Sequence, residues 1–237
     1  MTAYREMARC VAKEANNARF VALVRSIARP ARAMRAVVLD GPAMRTSRAL
    51  SSAFGRRISL MVPQHHPPSI PRMKASAPRA SRVTIVPGTT AEWLTKPARG
   101  GRFNAAYFDT TTAITGNRAA AQFPLEDMRA FLEHRADRCG PVALCATFVA
   151  RTPHGLFGNR SSAADQIVGD YLRPLFAAAR FAVADLRAHT YRRGPTSMAM
   201  VFVSVILRYD AAIPTSRISF IVAPDGQHYD GYAERVV

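Results

Sequence analysis

The stretch Phe181–Tyr209, FAVADLRAHTYRRGPTSMAMVFVSVILRY, decides the fold. It holds two β-patterned runs, Phe181–Thr190 and Ser197–Tyr209, separated by YRRGP, a turn too short to contain a crossover helix, so the two strands must pair antiparallel. Met198, Met200, Phe202, Val203 and Val205 form an apolar stripe that belongs to the sheet core.

Upstream, strands alternate with helices or crossovers. Ala36–Leu39 reads as the first strand, followed by a helix over Thr46–Phe54; Arg57–Val62 is the second strand and Arg82–Val86 the third, with Ala91–Leu94 a short helical turn. Phe103–Phe108 is the fourth strand, ending at Asp109. Leu125, Met128, Phe131 and Leu132 share one face of a helix over Leu125–Arg138, and Pro141–Val149 is a long fifth strand. Ala163–Ala179 is a further helix that Pro174 should kink or shorten. Between the second and third strands, Pro63–Ser81 carries five prolines, which predicts a surface loop or a loosely ordered crossover.

Such alternation, finished by an antiparallel pair, implies an α/β fold: a seven-stranded, mostly parallel sheet with helices on both faces and an antiparallel terminal hairpin. We place this domain at residues 35–210. An N-terminal helical extension occupies 1–34, where apolar positions at helical spacing end at Pro30, and a C-terminal β-hairpin extension occupies 211–237. The N-terminal helices are expected to pack on the sheet or on a partner in a larger assembly.

Composition narrows the partners. The 237 residues carry 33 Lys and Arg against 16 Asp and Glu, a net charge of +17, which attracts phosphate backbones and makes nucleic acid, RNA in particular, the expected partner. Only three of the cations are Lys, so part of this excess reflects an Arg- and Ala-rich composition of the kind a GC-rich genome produces. No apolar run reaches the roughly 20 residues a membrane span needs. Cys10, Cys139 and Cys145 form no C-x-x-C pair, and no Cys and His cluster has zinc spacing, so neither a disulfide framework nor a metal site is expected. An intracellular, reducing compartment fits, the cytoplasm or nucleus, with the mitochondrion as the alternative that the Arg-rich N-terminus raises. No G-x-S-x-G or P-loop pattern occurs, which sets hydrolase and P-loop chemistry aside.

In open α/β sheets the ligand crevice lies at the carboxyl ends of the strands, so the residues closing each strand are the site candidates. Asp40 and Gly41 close the first strand in RAVVLDGPAMRTSRAL (Arg35–Leu50), with Thr46 and Ser47 available to cap the next helix. Gln64 follows the second strand, Gly88 and Thr89 the third, and Tyr107 and Asp109 end the fourth. Arg151 follows the fifth strand, and Arg192 with Arg193 sits in the turn of the terminal hairpin, where guanidinium groups would grip a phosphate backbone.

These elements resemble the class I S-adenosylmethionine-dependent methyltransferases, whose last strand inserts antiparallel into a seven-stranded sheet. VVLDGPAMRTSRAL is similar to their first cofactor-binding segment, RVTIVPGTTAEWL to the third strand and adenine-side loop, AAYFDTTT to the fourth strand with its acidic end, and ALCATFVARTPHG to the fifth. Among narrower groups the chain resembles methyltransferase-like proteins of large DNA viruses. The resemblance implies S-adenosylmethionine as cofactor, held by Asp40, Gly41, Thr46, Gln64, Gly88 and Thr89, with Asp109 and Tyr107 at the transfer site. It also implies a methyltransferase-like protein that acts on or binds nucleic acid. Two departures stand against that pattern. The first loop keeps one glycine, Gly41, where the family carries two or three, and the second strand ends in Gln64 instead of the carboxylate that binds both ribose hydroxyls. A catalytically inactive member serving as an RNA-binding or structural component of a ribonucleoprotein or virion is the alternative.

Overall fold

A computed structural model of the chain describes residues 11–30, 32–96, 102–116, 123–152, 155–156, 160–193, 198–214, 219–220 and 231–232. Its centre is one seven-stranded sheet. The strands are β1 (Met34–Val38), β2 (Ile58–Gln64), β3 (Arg82–Pro87), β4 (Ala105–Asp109), β5 (Val142–Val149), β6 (Phe181–Arg193) and β7 (Met198–Tyr209). They lie in the order β3-β2-β1-β4-β5-β7-β6. β1 to β5 are parallel, while β7 runs antiparallel to both β5 and β6. The short YRRGP connection has the consequence its length dictates.

Strand position explains strand sequence. β5, between two neighbours and under helices on both faces, is buried at all eight positions, and its ALCATFV run has no polar alternation to offer solvent. β3 is an edge strand, and its Arg82 and Thr84 are exposed. Along β1 and β4 the pleat sorts side chains into two cores. Ala36, Val38, Ala105 and Tyr107 face α1 (Val11–Ile27) and α2 (Arg45–Phe54), while Val37, Ala106 and Phe108 face the layer containing Phe131, Leu172 and Phe176.

Several expectations are adjusted. The Pro-rich segment is an ordered crossover, a 3-10 turn over Pro67–Ser69 followed by the helix α3 (Ile70–Ser76); Pro71 is tolerated because it falls in the first turn, where no intrahelical donor is needed. The second strand runs two residues further than read, to Gln64, because β3 supplies partners up to Gln64↔Pro87. After α4 (Thr90–Thr95), α5 (Pro124–Ala130) ends in a wide π-type turn, Phe131–Arg135, in which the Ala136 amide reaches back five residues to the Phe131 carbonyl at 2.8 Å. The helix around Pro174 does not break. It passes from α6 (Arg160–Gln166) through a π-type stretch, Ile167–Leu172, into α7 (Arg173–Ala178), and that wide turn absorbs the missing Pro174 donor.

Arg192 and Arg193 are not turn residues. β6 continues through them, and their backbones pair with Ala199 and Met198 of β7; the turn itself, 194–197, lies outside the described residues, as do the two arginine side chains. Arg151 belongs to a two-residue bridge, Arg151–Thr152 with Gly155–Leu156, and its side chain is likewise outside the description. In the C-terminal extension, Ser219–Phe220 pairs antiparallel with Gly231–Tyr232. The N-terminal helix is part of the core: Phe20 and Val24 of α1 are fully buried against the sheet. No described helix is long and apolar enough to cross a membrane.

Candidate functional site

The crossovers after β1 and β4 diverge to opposite faces, so a crevice opens at the carboxyl ends of these two adjacent strands. Asp40 and Asp109 stand there. Asp40 is buried and turned inward, where its Oδ2 accepts the Ser47 amide of α2 at 2.8 Å and its Oδ1 lies 3.5 Å from the Thr46 amide. It thus satisfies the N-terminal donors of α2, a role that Met44, in the N-cap position, has no side-chain acceptor to fill. Burial pushes the Asp40 carboxyl up to about 6, against the pull of the Ser47 hydrogen bonds and the Lys13 charge.

That shift has a measurable sign. Between about pH 4 and 6 Asp40 is protonated in the folded chain and ionised in the unfolded one, so its contribution to stability is complete below pH 4 and lost as pH rises through 6. Asp40→Asn keeps an acceptor for Ser47 and removes the charge. Denaturant titrations of the variant across this window should show a flatter stability profile than the wild type, by up to about 3 kcal/mol; an unchanged slope would show that Asp40 is not the titrating group.

Asp109 is held from two sides. Its Oδ1 accepts the Thr147 hydroxyl at 2.8 Å, the two residues being neighbours in the register of β4 and β5, and its Oδ2 pairs with the Lys13 ammonium of α1. One turn further along α1, Asn17 accepts the Thr46 hydroxyl at 3.1 Å. Helix α1 therefore carries a stripe that is polar above the crevice, at Lys13, Asn16 and Asn17, and apolar below it, at Phe20 and Val24. The Nδ2 of Asn16 and the hydroxyl of Tyr107 are buried with no hydrogen-bond partner among the described residues. Both are donors that a bound polar group would satisfy.

The other candidates divide. Tyr107 lies on the same side of β4 as Asp109, but its ring is enclosed against Phe20 and Phe202, and burial, with the nearby Asp109 charge, holds its phenol well above the ordinary range. Thr46 is engaged with Asn17. Gln64 is folded onto its own loop: its Oε1 accepts the His66 amide at 2.8 Å and its Nε2 approaches the Met73 sulfur at 3.3 Å. Gly88 adopts φ 115°, a conformation that L side chains rarely take, and Thr89 forms a capping box with Glu92 at the start of α4. Gly41 borders open space, since a Cβ built on it would meet nothing within 4 Å. Met44 sits in the left-handed region at φ 51°, which non-glycine residues seldom adopt, and is fully buried with Val62 and Met73. Among the described residues no group of three metal-ligating side chains occurs.

The sequence reading missed Lys13, Asn16, Asn17 and Thr147. A signal was present: Asn16 and Asn17 interrupt the apolar positions of a helix between Ala15 and Phe20, and Lys13 is one of three lysines in the chain.

No protein-family model matches the chain, and no curated protein matches it in sequence. Solved structures do. One is a Klebsiella pneumoniae structure described as an O-methyltransferase, at 12% identity over 85% of this chain and 82% of that one, with a TM-score of 0.53. A Clostridium thermocellum structure described as an rRNA methylase aligns at 8% identity over 86% of this chain and 99% of its own, with a TM-score of 0.50. TrmN from Thermus thermophilus aligns at 14% identity over 82% of this chain, with a TM-score of 0.49, and the chain spans 49% of it, about half its length. At these identities the likeness establishes the fold: an α/β protein of the class I methyltransferase type.

Proposed function

We propose that the chain binds S-adenosylmethionine in the crevice at the ends of β1 and β4 and acts on nucleic acid, RNA in the first instance, as a methyltransferase-like protein. The observation that carries this reading is the juxtaposition of Asp40, Gly41 and Asp109 on adjacent parallel strand ends in a sheet of this order. The residues there fit such a ligand at its amino-acid end: Gly41 borders open space, and the Nδ2 of Asn16 is a donor without a partner among the described residues. At the ribose end, Gln64 provides one amide that must first leave Met73 and His66.

When bound, the cofactor supplies an activated methyl group, so the protein's part is positioning and exclusion of water. Asp109, fixed by Thr147, is placed to accept a hydrogen bond from an attacking group, and α1 closes one side of the crevice. The test is incubation of the folded chain with methyl-labelled cofactor and separate RNA, DNA and metabolite pools. Label in the RNA or DNA fraction supports the reading; label confined to metabolites assigns a small-molecule substrate.

A second reading is favoured by one observation, that Asp40, Asp109 and Gln64 all have partners inside the chain. Under it the fold is a catalytically inactive RNA-binding or structural component. RNA bound without any label transferred selects it.

A further inference from the structure

The 51 residues from Gly41 to Ala91 contain eight Lys and Arg and no Asp or Glu, so all sixteen carboxylate side chains of the protein lie elsewhere. A GC-rich composition raises Arg throughout a chain and does not clear one contiguous region of acids. In space this region is the β2 and β3 end of the sheet with α2 and α3 on one face, joined where the Arg48 Nε donates to the Ser76 carbonyl at 3.3 Å. Arg72 and Lys74 on α3, Arg79 after it and Arg82 opening β3 are all exposed. α3 starts just beyond the carboxyl end of β2 and Arg82 lies at the amino end of β3, so these cations run from the crevice side along the full strand length, about 20 Å at 3.3 Å per residue.

We infer that this face is a docking track for the phosphate backbone of a nucleic acid, leading to the crevice between β1 and β4. The inference rests on the nucleic-acid part of the function proposed above and locates it on a different surface from Arg151, Arg192 and Arg193. Charge complementarity names the partner's chemistry, and the accompanying side chains separate nucleic acid from other anionic partners. Every exposed position of the segment is Arg, Lys, His, Gly, Ser, Thr, Ala or Pro. A membrane-surface helix needs Trp, Phe or Leu to enter the acyl boundary, and a protein interface needs aromatic or aliphatic anchors at its centre. The exposed positions of this track include neither, and its half-buried Val83 and Ile85 pack against Met44, Val62 and Met73. Guanidinium-rich, apolar-poor surfaces suit phosphates, which Arg engages through its planar fork.

The test compares two variants with equal loss of charge. Arg72→Gln, Lys74→Gln, Arg79→Gln and Arg82→Gln together remove the track; Arg129→Gln, Arg173→Gln, Arg187→Gln and Arg208→Gln together remove four exposed cations elsewhere. Affinity for a fluorescein-labelled single-stranded RNA 20-mer is read by anisotropy from 50 to 300 mM salt. The track variant should lose about a hundredfold at 150 mM salt and about 3 from the slope of log K against log salt, at roughly 0.7 per phosphate contact. The control variant should lose little of either. Equal losses in both variants would overturn the track while leaving nucleic-acid binding intact, and absence of RNA binding by the wild type would overturn both. Wild-type binding to phosphatidylserine vesicles but not to RNA would reassign the surface and overturn the inference. Circular dichroism of each variant confirms that the exposed substitutions leave the fold in place.

Discussion

Lys13→Met is expected to destabilise the folded chain by about 3 kcal/mol, because it strands a buried carboxylate. Asp109 is only 6% exposed in its side chain and keeps the Thr147 hydroxyl alone once the ammonium is gone. Lys13 itself is 20% exposed, which places the cost at the lower end of the range for broken buried pairs. For a chain of this size the loss corresponds to about 6–12 °C in Tm. Adding Asp109→Asn to Lys13→Met should recover most of it, since a neutral amide needs no counter-ion, and the double-mutant cycle then reports the coupling directly. Independent, additive effects of the two substitutions would show that α1 does not hold Asp109.

Phe20→Ala should cost about 3–5 kcal/mol, the range for a fully buried aromatic side chain. Its ring is 0% exposed and lies 5.1 Å from that of Tyr107, within the core that joins α1 to β1, β4 and β5. The N-terminal helices were expected to pack on the sheet or on a partner, and α1 packs on the sheet, supplying both a core anchor and the cation facing Asp109. Thermal unfolding of Phe20→Ala is the measurement; a Tm within about 2 °C of the wild type, under about 1 kcal/mol, would mean that α1 packs loosely and that the N-terminal segment is separable after all.

The sheet was legible because its signals are local. A connection too short for a crossover helix forces β6 and β7 antiparallel, and short apolar runs ending at Asp40, Gln64 and Asp109 mark strand ends to within two residues. The helices were less so, since the π-type turns at Phe131–Arg135 and Ile167–Leu172 answer to packing and to Pro174, and spacing at 3.6 residues does not encode them. The crevice was legible only from the strand side. Asp40, Gly41 and Asp109 could be placed because strand ends converge in any open α/β sheet, whereas Lys13 reaches Asp109 across 96 residues of sequence through a helix whose docking no local pattern specifies. Thr46 is likewise claimed by Asn17, 29 residues away, and Gln64 by Met73, 9 residues away, pairings that no strand or helix period reports. Arg192 and Arg193 were assigned to a turn because Gly194-Pro195 is the obvious breaker, yet the ladder with β7 carries both into β6.

Titration calorimetry of the wild-type chain with S-adenosylmethionine tests the central claim most directly. Saturable binding at one site is expected, weakened about tenfold by Asp40→Asn, the equivalent of one charge-assisted hydrogen bond. No binding heat at millimolar cofactor, in protein shown to be folded by circular dichroism, would contradict it.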